Sequence, residues 1–379
     1  MLTLSAVGDI MFTDRVISSC GVSGAEDLFQ HTRPILQRSD FTIANLETPL
    51  SNRNVSTPHP GKEFLFRAPQ EFAGALRRGG VTIASLANNH IMDYGLPALN
   101  DTIYSLRSHG LHYVGAGRNL AEACRPLVCE ANGIKIAFLA FTYAFPAKDN
   151  APGCCPCDLR LMQKRIRAVK EAGHVVVVSI HHGVEYVDYP DRYILSLFRG
   201  AADAGAHVVL GHHPHVVQGL EIYKNTLIVY SLGNFISDYS DEEVRRESYR
   251  RTALAYFTAH PPDVHDLRTT ETFILTCIFR RDELSDYTLT PVKSGRDYQA
   301  LLMNEQEAGA FLRRVKALSD KFSRPDDPIW DEMDALRQQC EKAGLEEVSL
   351  REVLAKVWRL RPHHCRLVIP YLKAKLSKL

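Results

Sequence analysis

The chain has 379 residues, enough for one large α/β domain or two smaller ones, and its 45% hydrophobic content excludes a disordered protein. Lys and Arg number 45 against 44 Asp and Glu, a net charge of +1, so bulk charge argues against nucleic acid or an anionic membrane as partner. The longest apolar stretches, such as IKIAFLAFTYAF (134–145), are too short to span a bilayer, and no membrane span is expected.

The first segment, MLTLSAVGDIMF, reads as a strand and lacks the basic start and cleavage site of a signal peptide. Further strands are predicted at 40–47, 81–89, 135–142, 175–182, 207–213 and 226–234. Between them lie helical patterns, among them 71–80, 99–110 and 161–174, several closing on Gly. Alternating strand and helix predicts an α/β fold, and near-continuous Val/Ile runs fit central strands buried on both faces. Residues 239–272 are densely charged and rich in turn residues, and read as a surface excursion. TFILTCIF and SDYTLTPV then predict a hairpin, and the pattern from about 304 onward is helical, interrupted by SRPDDP at 323–328. The expected division is a domain over 1–300 and a helical C-terminal extension over 301–379. The cysteines number nine, an odd count, scattered apart from Cys154, Cys155 and Cys157, whose CCPC spacing matches no standard metal or redox pattern. A reduced, cytoplasmic protein is expected.

The chemistry-bearing residues cluster at strand ends. VVLGHHPHVV (208–217) places His212, His213 and His215 just past an apolar run. Asp9 ends the first strand, Asn45 and Glu47 the second, Asn88, Asn89 and His90 the third, and His181 and His182 another. A single His at a strand end is more often a hydrogen-bonded structural residue, and Asn or Asp there is an ordinary turn former. Recurrence at successive strand ends decides otherwise, because ligands of open α/β sheets bind beyond the carboxyl ends of strands. Carboxylate, amide and imidazole together form a ligand set for Mn, Fe or Zn, one ion or two, and the lack of thiolates argues against a structural zinc site. Pro214 stiffens the His-Pro-His turn so that two imidazoles converge. His182 and His212 each double a neighbour and are expected in packing or behind the ligands.

GDIM, ANLETPLS, FLFRAP, SLANNHIMDYG, VGAG, SIHHGVEYVDYP, GHHPHVVQGLEIY and YSLGNF occur in an order that resembles the CapA capsule-synthesis proteins. That family is associated with making or handling poly-γ-glutamate. The resemblance, over about 3–238 and the hairpin, implies a four-layer calcineurin-like metallophosphatase sandwich, two β-sheets flanked by helices. It implies Asp9, Glu47, Asn89, His181, His213 and His215 as metal ligands, Glu47 bridging, with His90 as general acid. Asn45, Arg67, Asn88, Glu185, Tyr186 and Asn234 are expected around the substrate. The pattern departs from the wider superfamily at Asp9-Ile10-Met11, where Asp-x-His is usual, so two unequal metal sites are expected. The N-terminal anchor of many capsule-associated members is also not seen.

The function expected is a metal-dependent hydrolase of the CapA type, acting on a phosphoester or a γ-glutamyl-like amide. Two alternatives remain: a non-catalytic, metal-containing partner that binds an anionic polymer or a synthesis complex, and a general cytosolic metallophosphatase. The expected substrate is anionic, a small molecule or a polymer. The basic C-terminal helical end reads first as a solvated face, with docking of a protein partner as the second reading.

Overall fold

The computed structural model describes residues 1–53, 62, 64–245 and 267–347. Most of the charged excursion and the tail beyond 347 lie outside the described residues.

Strands β1 (Leu2–Ile10), β2 (Phe41–Leu46), β3 (Ile83–Ser85) and β4 (His112–Val114) run parallel in the first sheet. The intervening helices are α1 (Asp14–Cys20), α2 (Arg33–Leu36), α3 (Phe72–Arg78) and α4 (Gly95–Ser108). A short strand β5 (Ala116–Gly117) and helix α5 (Leu120–Ala123) lead to the second sheet. There β6 (Leu127–Ala131) pairs antiparallel with β7 (Ile134–Thr142), while β8 (Gly153–Cys154) turns back to pair with β5. Helix α6 (Leu159–Glu171), β9 (Val175–His181), α7 (Arg192–Asp203) and β10 (Val208–His212) continue it, followed by β11 (Leu220–Tyr223) and β12 (Thr226–Val229). The chain then returns to the first sheet with β13 (Asn234–Ile236), the hairpin β14 (Glu271–Arg280) and β15 (Glu283–Ser294), and β16 (Ala300–Leu302). Helices α8 (Glu305–Ser319) and α9 (Ile329–Glu347) close the described chain.

Three apolar clusters make this a four-layer sandwich. Between the sheets, Leu4, Ala6 and Ile43 meet Phe138, Val177 and Leu210. The far face of the first sheet packs Val7, Ala44 and Ala84 against Phe72, Leu76 and Leu99 of its helices. The far face of the second packs Val176, Val178 and Val209 against Ile166, Ile194 and Phe198. Successive residues of a strand point to opposite faces, so the four valines at 175–178 feed two cores in alternation.

The structure differs from the sequence reading in three places. The single strand predicted at 226–234 is two: β12 stays in the second sheet, and β13 pairs with β1 in the first. Gly233, at a φ of 73°, turns the chain between sheets, a geometry periodicity does not encode. The strand predicted at 81–89 is regular only over Ile83–Ser85, and the loop after it is held to the end of β2 by Asn88 Nδ2 donating to Leu46 O. Lastly, Cys124 and Cys155 form a disulfide, correcting the expectation of reduced cysteines. The two lie 31 residues apart in sequence, and only the fold brings their Cα atoms to 4.9 Å. Disulfides persist in oxidising compartments, so the cysteines no longer support a cytoplasmic location. Among the described residues, no helix is long and apolar enough to cross a membrane.

Candidate metal centre

The carboxyl ends of β1, β2, β3, β9 and β10 open onto one rim, and the backbone there is exceptional. A Cβ on Gly8 would stand 1.9 Å from Gly233 O, and one on Gly211 would stand 1.9 Å from Tyr230 O. Only glycine permits these close approaches, which bring β1 and β10 against the crossover between sheets. Past Gly211, His213 (φ 98°) and His215 (φ 58°) both adopt left-handed backbone on either side of Pro214. Such conformations cost of order 1–3 kcal/mol each and cluster at functional sites.

Asp9 is fully buried. Its Oδ1 accepts from Asn45 Nδ2 at 2.8 Å and pairs with His212 Nδ1 at 3.0 Å. Its Oδ2 accepts from the His213 backbone N–H at 3.3 Å and lies 3.4 Å from His215 Nδ1. Burial alone would raise this carboxyl, but the bonds to His212 and His215 outweigh it and hold Asp9 well below the carboxylate range. Glu47 is pushed the other way, well above its ordinary value, by burial and then by the charge of Asp9. Burial, and next the neighbouring imidazoles, lowers both His181 and His213, so both stand neutral at pH 7 as ligation requires. For His215 burial is outweighed by its bond to Asp9 and by the charges of Glu47 and Asp9, which raise it to about 10.

Two atoms expose what this arrangement lacks. Glu47 Oε1 and His213 Nδ1 are buried without a hydrogen-bond partner. Buried polar atoms are nearly always paired, and a pair of buried carboxylates calls for positive charge. Both atoms belong to residues that, with His181, offer ligand atoms within 4.8 Å of one another. Asp9, Glu47 and His215 form a second such set, and Glu185, His213 and His215 a third. Asn89 joins through its Oδ1, 2.9 Å from His181 Nε2. The donor set therefore fits one or two divalent cations, with Glu47 common to two sets.

The residues expected around the substrate divide in two. Asn45 sits among the ligands: its amide donates to Asp9, and to Glu47 Oε2 at 3.3 Å, while its oxygen accepts from Asn88. Asn88 itself is spent on the frame, donating to Leu46 O and accepting from the His90 and Ile91 backbone. Asn234 accepts from His215 Nδ1 at 2.9 Å, leaving Nε2 as that ring's free nitrogen. Glu185 reaches the cluster as a ligand-type carboxylate. Tyr186 stands against His215 with ring centroids 5.9 Å apart. Arg67 is engaged outside the cluster, lying over the Tyr94 ring and donating to Arg53 O.

His90 has its own setting. Its Nδ1 meets Asp93 Oδ2 at 2.8 Å, and its ring stacks on Phe66 with centroids 4.1 Å apart. Lys62 bonds Asp93 Oδ1 and the Asn89 carbonyl. Burial, then the charge of Lys62, lowers His90 to about 4. With Nδ1 engaged by Asp93, Nε2 is the ring nitrogen left for a ligand. His182 packs between Tyr143 and Tyr193, and His212 stands behind Asp9, as their doubled positions suggested.

Sequence reasoning missed three residues here. Asp93 was findable three positions after His90, in NNHIMD. Tyr143, whose hydroxyl lies 3.4 Å from His213 Nε2, follows the end of β7 and obeys the strand-end rule. Lys62 carried no signal, since a Lys in a polar loop is ordinarily solvated.

A sequence model described as "Bacterial capsule synthesis protein PGA_cap" matches residues 3–239. The "PGA biosynthesis protein CapA" of Bacillus subtilis (strain 168) is 34% identical over 276 residues, 70% of this chain and 72% of the relative. The "Capsule biosynthesis protein CapA" of Bacillus anthracis is 36% identical over 246 residues, 62% of this chain and 60% of the relative. The solved structure of a hypothetical protein from Thermus thermophilus superposes with a TM-score of 0.48 at 18% identity, over 77% of this chain and 99% of that one. That superposition is loose, and the fold assignment rests on the layers and topology above. With most of the two sheets and every proposed ligand inside the matched region, the chain belongs to the PGA_cap family of bacterial capsule synthesis proteins.

Proposed function

We propose that this chain is a metal-dependent hydrolase of the CapA type, acting on a phosphoester or a γ-glutamyl-like amide in poly-γ-glutamate or capsule metabolism. The observation that carries this reading is the pair of buried atoms without a hydrogen-bond partner, Glu47 Oε1 and His213 Nδ1, within one ligand-type set that also brings His181 Nε2 to 3.5 Å from Glu47 Oε1. Asp9, Glu47, Asn89, His181, His213 and His215 would hold one or two ions of Mn, Fe or Zn. A bound ion supplies a water of lowered pKa and offsets charge on the reacting group. The chain does the rest. Asn45 and Asn234 orient the ligands, and Tyr143 fixes the outer nitrogen of His213. His90, once protonated at Nε2 from solvent with the Asp93 carboxylate beneath Nδ1 stabilising that imidazolium, would pass the Nε2 proton to the leaving atom and return to the neutral ring. The names of the Bacillus relatives supply the field of substrates, an anionic polymer or its precursors.

The test is a panel of aryl phosphoesters, γ-glutamyl anilides and poly-γ-glutamate, offered to protein loaded with each metal in turn. Hydrolysis of one class, abolished by chelation and by His213→Ala, is expected. Metal-loaded protein that turns over neither class sinks the proposal.

One observation favours the second reading, a non-catalytic metal-containing partner that binds an anionic polymer. Met11 occupies the place of the usual first-motif imidazole and packs with Tyr186 and Tyr239. A thioether there weakens the Asp9–His215 side relative to the Asn89–His181–His213 side, so the two sites are unequal. Met11→His is expected to tighten the weaker site about tenfold or more, a change on the scale of ligand-shell substitutions. Calorimetric titration revealing two equally tight sites in the wild type would count against this.

A further inference from the structure

Helix α9 lies beyond the residues matched by the family, yet it packs on the segment that carries Glu185. That segment, between β9 and α7, has no helix or strand of its own and is divided by orientation. Glu185 joins the ligand set with His213 and His215, and Tyr186 packs with Met11 and Tyr239. Val184 and Val187 turn the other way, into an apolar cluster with Met333 and Leu336 of α9. Polar ties bracket this cluster. The Arg192 backbone N–H donates to Asp334 Oδ1 at 2.9 Å, and its guanidinium donates to Asp331 at 2.6 Å and Asp334 at 2.9 Å. Arg337 lies 3.5 Å from Asp191 and over the Tyr193 ring at 5.4 Å. Tyr189 meets Trp330 edge-on at 6.1 Å.

The segment needs such support. Gly183 (φ 136°) and Tyr186 (φ 63°) both hold left-handed backbone. On its inner side it is tied by Tyr186 N donating to Pro214 O at 2.8 Å and Gln218 Nε2 donating to Val187 O at 2.9 Å. Strained, irregular backbone persists only where its surroundings over-determine it.

We propose that α9 is a positioning element of the metal centre: Met333, Leu336 and Arg337 clamp the segment from outside and so hold Glu185 at the set it shares with His213 and His215. This rests on the metal-centre reading above. Glu185 is the acting group, and α9 works only through it.

The test titrates metal-free full-length protein with Mn²⁺ by calorimetry, comparing wild type, Leu336→Ala, Arg337→Ala, Glu185→Gln and each double variant. Leu336→Ala and Arg337→Ala are expected to weaken one binding event by about tenfold and leave the other unchanged. In the Glu185→Gln background the same changes should have no further effect, because the residue they act through is gone. Hydrogen exchange on metal-free Arg337→Ala, a partly exposed position that the core does not need, should show faster exchange over 183–190 with β9 and β10 unaltered. Undiminished affinity in the folded variants, or equal weakening with and without Glu185, overturns the proposal. A wild type that binds no metal at all removes the metal-centre reading itself, and the two failures are told apart on the same instrument.

Discussion

Replacing His213 and His215 together by alanine is expected to strip nearly all bound metal while leaving the fold in place. Every ligand-type set among the described residues contains at least one of these two histidines. After the double change each of the three His, Asp and Glu sets would keep at most two of its groups. Losing an outer-shell partner of a metal ligand already costs about 10- to 100-fold in affinity, so losing two ligands costs more. The fold should survive because both residues lie past the end of β10, and alanine fills no core position there. The change does remove the His215 partner of Asp9, which costs some stability, but Asn45 and His212 still bond Asp9 Oδ1. Elemental analysis and far-UV circular dichroism check the two halves of the expectation. Wild-type protein that holds no metal even after supplementation would falsify the metal centre.

The second large effect is expected at His90, which the proposed function assigns to proton transfer and not to ligation. In the metal-free chain burial keeps its imidazole neutral at pH 7, with Nδ1 on Asp93 and Nε2 available. It must take up a proton on Nε2 before passing it to a departing oxygen or nitrogen, and Asp93 stabilises the charged form during that transfer. A general acid contributes about 10² to 10⁴ in rate, so His90→Asn should lower turnover by that factor with metal content nearly unchanged. The loss should shrink for a nitrophenolate leaving group, which departs without a proton. Structural damage would slow all substrates alike. Loss of metal in His90→Asn, or an equal slowing of every substrate, would show His90 to be a ligand or a core residue.

The sequence carried much of this centre because strand ends are local features. An apolar run followed by Gly or a polar residue marks where β1, β2, β9 and β10 stop, and Asp9, Glu47, His181 and His213 stand at those stops. The α/β class was legible for the same reason, since the periods of strand and helix are properties of short segments. The roles within the cluster were less legible. Asn45, Asn88 and Asn234 look alike in a sequence, one amide at each strand end. Asn45 parts two carboxylates, Asn88 ties down its own loop, and Asn234 sets the His215 ring, according to what the neighbouring strands present.

By itself, then, the chain's order of residues determined the α/β class, the rim at which the chemistry gathers and the ligand types found there, because each follows from periodicity and composition within a few positions. The two-sheet layering came only from the resemblance to a family. Tertiary structure alone decided the rest. It joined Cys124 to Cys155, sent 234–236 back to the first sheet beside Asp9, and brought Glu185 near His213 and His215 on a segment that packs against α9. Those are contacts between residues tens to hundreds of positions apart. Their partners are chosen by which faces the packed layers bring together, and no local pattern records that choice.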